Sequence, residues 1–200
     1  MTINHANAQQ WATDYDEKTP QEILALVLDN FDNAAISFSG AEDVVLIDMA
    51  AKLGKPFRVF SLDTGRLHAE TYQFIEKVRN HYKVAIEICF PESAQVQEMV
   101  NAKGLFSFYV DDHKECCTVR KVAPLKKKLA TLDAWVTGQR KDQSPGTRLA
   151  VPVVQADAAF SGAGKQLIKF NPLSNWTSAQ VWDYIRTNEV PYNALHEKGF

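Results

Sequence analysis

A chain of 200 residues is long enough to close a hydrophobic core without disulfides or a structural metal. Hydrophobic residues make up 46% and charged residues 23%, the balance of a soluble globular protein, and no apolar run is long enough to cross a bilayer, which argues against a membrane partner. A net charge of −2 argues equally against a nucleic-acid coat, so clusters of Lys and Arg read as local sites for one small anion.

Residues 1–18 are polar and mixed in charge, with neither the apolar stretch of a secretion signal nor the Arg-rich pattern of a transit peptide. This predicts a flexible N-terminal segment on a cytoplasmic protein. Thr19-Pro20-Gln21-Glu22 then combines an N-cap, a proline at the first helical position and an acid at the third. A single ordered domain, 19–200, is expected to begin there with a helix through Phe31. Ala34 to Phe38 reads as a buried strand, Ser39-Gly40 as a turn, and Glu42 to Leu53 as a helix stopped by Gly54. The alternation repeats with a strand over Phe57 to Leu62, a helix over Glu70 to Tyr82, a strand over Val84 to Phe90 and a helix over Ala94 to Lys103. It predicts an α/β fold with a parallel sheet and helices on its faces. Cys116 to Ala130 is helical with a break at Pro124, and Ala134 to Thr137 is a strand leading into the basic loop Gly138 to Arg148. Val151 to Ala156 and Leu167 to Phe170 read as a strand pair, and Asn175 or Thr177 caps a last helix reaching Thr187.

The adjacent pair Cys116-Cys117, followed by Arg120 and Lys121, carries the most chemical information. Neighbouring thiols make poor disulfide partners but serviceable metal-cluster ligands, and nearby cations favour the thiolate. The competing reading is a core thiol and an incidental one. Ser37, Ser39, Gly40, Ala41, Glu42 and Asp43 stand where a strand meets a helix, so backbone N–H groups there can hold a phosphate or sulfate; a plain capping turn is the alternative. Leu62, Asp63, Thr64, Gly65 and Arg66 follow the next strand, with Asp63 suited to a ribose or adenine-side group and Arg66 to an anion, or both to a tight turn. Gly138, Gln139, Arg140 and Arg148 lie in the basic loop, suited to bidentate sulfate or phosphate contact or else solvated. Lys126-Lys127-Lys128 reads as a solvated helix face and Cys89 as core. Three cysteines in a reducing compartment do not suggest a disulfide framework.

Together, Ser37 to Asp43, Ser61 to His68, Cys116-Cys117 with Arg120-Lys121 and Pro124-Leu125, Gly138 to Ser144, and Lys169 to Leu173 resemble the motifs of the assimilatory adenylyl-sulfate and phosphoadenylyl-sulfate reductases, a branch of the adenine nucleotide alpha-hydrolase superfamily. The resemblance implies a Rossmann-like sheet, an adenylyl nucleotide across its strand ends, and reductive release of sulfite with thioredoxin as electron donor. The tandem cysteines resemble those of the iron–sulfur adenylyl-sulfate reductases, where Cys116 and Cys117 would ligate a [4Fe-4S] cluster and Lys121 and Arg148 would support catalysis. Such a cluster takes four thiolates. By resemblance, two more ligands and the catalytic cysteine follow Phe200, so the chain is expected to lack its C-terminal segment. The sequence does not fix the oligomeric state, and a homo-oligomer is compatible with it. Three alternatives remain open: a phosphoadenylyl-sulfate reductase, an ATP pyrophosphatase of the same superfamily, and a non-catalytic adenylyl-nucleotide-binding module.

Overall fold

The computed structural model describes residues 5–110, 113–144, 146, 150–162 and 166–199. Helix α1 (His5–Asp14) is followed by α2 (Pro20–Asn30), strand β1 (Ala34–Ser37), α3 (Ala41–Lys52), β2 (Val59–Leu62), α4 (Ala69–Tyr82) and β3 (Ile86–Cys89). Then come α5 (Ser93–Lys103), the single turns α6 (Ser107–Val110) and α7 (Lys114–Cys117), a π-helical turn over Thr118–Val122, and α8 (Ala123–Leu129). Strand β4 (Ala134–Val136), a 3-10 turn at Lys141–Gln143, β5 (Val154–Ala156), β6 (Ile168–Phe170), α9 (Ser178–Thr187) and a 3-10 turn at Ala194–Lys198 complete the chain.

The strands form one sheet in the order β3-β2-β1-β4-β6-β5, parallel except for the antiparallel β5–β6 pair. Period-two alternation gives the sheet two buried faces. Ile36, Val59, Val136, Ile168 and Phe170 join the larger core with Ile23, Val27 and Ile47 from α2 and α3 and Val181 and Ile185 from α9. Ala35, Phe60 and Trp135 point the other way, into a smaller core closed by Leu129 of α8. Helices on both faces of a mainly parallel sheet are what the alternating sequence pattern implies.

The capping box is formed: Glu22 N–H donates to Thr19 Oγ1 at 3.3 Å and Thr19 N–H to Glu22 Oε2 at 2.8 Å. Thr177 rather than Asn175 caps α9, since Gln180 N–H donates to its Oγ1 at 3.3 Å.

Several expectations are corrected. Order begins before Thr19, because α1 docks through Ala8, 1% exposed, and through Trp11, whose ring centroid lies 6.1 Å from Phe31 and 6.2 Å from Phe170. Lys128 does not share the exposure of Lys126 and Lys127: the helical turn brings it onto the inner face, where its ammonium meets Glu87 at 2.6 Å. Cys89 is only half-buried, because β3 is an edge strand.

Candidate active site

In an open parallel sheet, a ligand crevice opens beyond the strand carboxyl ends where the chain reverses its direction of growth. Here β1 has β2 on one side and β4 on the other, so the loops after β1, β2 and β4 border that point.

Asp43, in the first turn of α3 and 6% exposed, holds two of these loops together. Its Oδ2 accepts from Ser39 N–H at 2.8 Å, Ser39 Oγ at 2.8 Å and Gly40 N–H at 3.0 Å, and its Oδ1 accepts from Gly138 N–H at 2.9 Å. The carboxylate therefore occupies donors that the sequence alone offers to an external anion. Ser39 lies exposed beside it, Ser37 and Gly40 are half-buried, and Ala41 and Glu42 begin α3.

After β2, the buried Asp63 carboxylate accepts from Gly65 N–H at 2.7 Å and from the Tyr72 hydroxyl at 3.0 Å. Burial, then Asp63, pushes the Tyr72 phenol above its ordinary pKa, which keeps it a donor. Leu62 is half-buried in the smaller core, and Gly65 takes the turn at φ +69°. Arg66 reaches across the surface: its Nη1 donates to the Leu105 carbonyl at 2.8 Å and its guanidinium lies 4.3 Å from the Phe108 ring centroid.

The loop after β4 is less free than its basic composition suggests. Arg140 is 4% exposed and its Nη1 pairs with Asp142, whose other oxygen accepts from Ser178 N–H at 2.7 Å at the start of α9. Gln139 Oε1 accepts from Lys169 Nζ at 2.8 Å, and Lys169 sits 4.9 Å from the Trp135 ring centroid. Gly138 is buried against Asp43, while Arg148 falls outside the described residues.

The half-buried Cys116 and exposed Cys117 line a cavity of about 590 Å³ with Thr64 to His68, Phe108, Tyr109, Arg120 and Lys121. None of these lining residues is acidic, a setting that suits thiolates and an anionic group bound to them. No cluster of three or more His, Cys, Asp and Glu residues forms among the described residues, so these residues offer two sulfur ligands side by side. Cys89 lies apart at the sheet edge, its thiol pushed up chiefly by burial and then by Glu87. Sequence reasoning assigned no role to Tyr72 or Asp142, whose contacts arise from folding rather than from a local motif.

A profile described as the phosphoadenosine phosphosulfate reductase domain matches residues 33–200. The chain is 57% identical over 190 residues to the adenosine 5'-phosphosulfate reductase of Pseudomonas aeruginosa (strain LESB58), covering 94% of this chain and 71% of that protein. It is 52% identical over 196 residues to 5'-adenylylsulfate reductase 1, chloroplastic, of Arabidopsis thaliana, covering 96% of this chain and 42% of that one. The crystal structure of phosphoadenylyl-sulfate (PAPS) reductase from Candida auris, a phosphate complex, superposes with a TM-score of 0.82 at 28% identity, covering 100% of this chain and 94% of that chain.

Proposed function

The chain belongs to the phosphoadenosine phosphosulfate reductase family, and on that premise we propose that it reduces adenylyl sulfate to sulfite and AMP in sulfate assimilation, in the cytoplasm, with thioredoxin as reductant. Helix α1 and the sheet with its helices act as one domain in this reading, which the docking of Ala8 and Trp11 and the continuous sheet support. The observation that carries it is the placing of Cys116 and Cys117 in one cationic cavity with the Thr64 to His68 turn. The relatives named for adenylyl-sulfate reduction favour this substrate.

In the proposed mechanism the β1 loop and the N-terminus of α3 receive the phosphate–sulfate bridge, since the positive end of a helix dipole favours an anion. Asp43 shapes that cradle from behind. The Asp63 to Arg66 turn seats the nucleotide, Gly138, Gln139 and Arg140 border it from the opposite side, and the family resemblance gives Arg148 a supporting role in catalysis. A cysteine thiolate attacks the substrate sulfur; the new S–S bond forms as the S–O bond breaks, and its electron pair leaves on AMP. A dithiol donor then supplies two electrons, releasing sulfite and becoming a disulfide. Cys89, half-buried with a raised pKa, is poorly suited to be that nucleophile. Cys116 and Cys117 would contribute two of the four thiolates of a [4Fe-4S] cluster. When bound, such a cluster would supply a compact anionic centre, against which Lys121 would set positive charge.

The likeness to a PAPS reductase favours a second reading, in which the substrate carries a further 3′-phosphate. The full natural chain, purified anaerobically with its cofactor complement and supplied with reduced thioredoxin and each nucleotide in turn, separates the two. Sulfite release from adenylyl sulfate alone is expected. A higher kcat/KM with the 3′-phosphorylated form would replace the proposal, and release from neither would refute both.

A further inference from the structure

Arg120 has no part in the mechanism above, yet it is one of the most constrained side chains near the thiols. It is 8% exposed and makes no ion pair among the described residues. Its Nη1 donates to the Thr64 carbonyl at 2.8 Å, which joins segments 56 positions apart. The contact is close enough to constrain the partner turn: a Cβ on Gly65, already at φ +69°, would lie 3.2 Å from the same Nη1. Asp63 binds Gly65 N–H from one side of the turn while Arg120 takes the Thr64 carbonyl.

The position of Arg120 in the chain gives this bond its consequence. It lies in the π-helical turn Thr118–Val122, directly after Cys117. Wide turns of this kind displace side chains from ordinary α-helical register and concentrate at functional sites. From the other side, Arg66 of the β2 turn reaches Leu105 and Phe108, which precede the cysteines. The two guanidinium groups thus cross in opposite directions, and both flanks of the thiol segment are fastened to the β2 turn. A guanidinium suits this work, since its planar fork holds direction as well as distance.

We infer that Arg120 is a positioning residue, which sets the Asp63 to Arg66 turn, and any nucleotide seated there, relative to Cys116 and Cys117. The inference rests on the proposed nucleotide seat but adds a residue and a role to it. Because Asp63 shapes the turn independently, loss of Arg120 shifts the turn as a unit and leaves its internal form intact. Binding of AMP should survive, and turnover should fall, since misplacement on the ångström scale is costly to a reaction between two held groups.

The test uses the full natural chain with its cofactor complement and the variants Arg120→Lys and Arg120→Ala. For Arg120→Ala, AMP affinity is expected to stay within about threefold while kcat for sulfite release falls about tenfold or more. Added guanidinium, but not sodium at equal ionic strength, should recover most of that loss, and Arg120→Lys should fall between Arg120→Ala and the unaltered chain. Hydrogen exchange should quicken together in 62–67 and 114–119 and not in β1 or β4. Unchanged kcat, or a parallel fall of kcat and AMP affinity without guanidinium recovery, would overturn the inference. If the unaltered chain neither binds AMP nor releases sulfite, the proposed function fails, and the exchange pattern alone still decides whether Arg120 couples the two segments.

Discussion

Replacing Asp43 with Asn tests the claim that one carboxylate organises the crevice. The substitution keeps size and shape but leaves one acceptor oxygen where the described residues supply four donors: Ser39 N–H, Ser39 Oγ, Gly40 N–H and Gly138 N–H. The less costly amide orientation keeps the Ser39 and Gly40 contacts and turns its NH₂ toward the buried Gly138 N–H. Leaving that donor unsatisfied costs about 1–3 kcal/mol, and weakening three charge-assisted bonds to neutral ones brings the total to about 2–4 kcal/mol. With a urea slope of about 2 kcal/mol/M, the unfolding midpoint should fall by about 1–2 M. Urea denaturation measures this directly, and amide exchange should report a large loss of protection at Gly138. A midpoint shift below about 0.3 M with Gly138 still protected would refute the reasoning, since the β1 and β4 loops would then be held together without the carboxylate.

Tyr82 and Tyr184 donate to the buried Asp48 carboxylate at 3.2 and 2.7 Å, and burial followed by Asp48 pushes both phenols far above their ordinary range. Their contribution to stability is complete below the unfolded value of about pH 10 and is lost as pH rises beyond it; an ultraviolet titration should show both ionising only with unfolding, and Asp48→Asn should bring them down. Glu189 holds φ +52° at the end of α9, where Val190 N–H reaches back to the Ile185 carbonyl at 3.0 Å. Glu189→Gly relieves the left-handed strain and should stabilise the fold by about 0.5–1 kcal/mol, read as a higher Tm; a lower Tm would contradict it. The half-buried Cys89 thiol should react with iodoacetamide more slowly in the native chain than after unfolding, and equal rates would show that burial does not protect it.

The alternation of apolar strands and amphipathic helices made the parallel sheet legible, and the placement of Ser39, Asp63 and Gly138 at strand ends marked its crevice. The partners of those residues were not legible. An acid beside a helix start looks alike whether it faces a ligand or, as Asp43 does, a glycine 95 positions away. Nothing local to Arg66 shows that Phe108 will be folded against it. Helix α1 was missed because its sequence, HANAQQWATD, has a weak apolar stripe, and tertiary packing of Ala8 and Trp11 supplies the order. Likewise, β-period counting cannot reveal that β3 lies at the sheet edge, which is why Cys89 is more open than expected.

The aromatic contact of Trp11 with Phe31 and Phe170 also sets an order of events during synthesis. Trp11 leaves the ribosome ahead of Phe170, which lies 5.7 Å from Phe31 and 6.2 Å from Trp11 in the finished protein and follows on the order of ten seconds later. Helix α1 is therefore made before the surface it docks on is complete, and until β6 arrives the flank of Phe31 lacks the cover of Phe170.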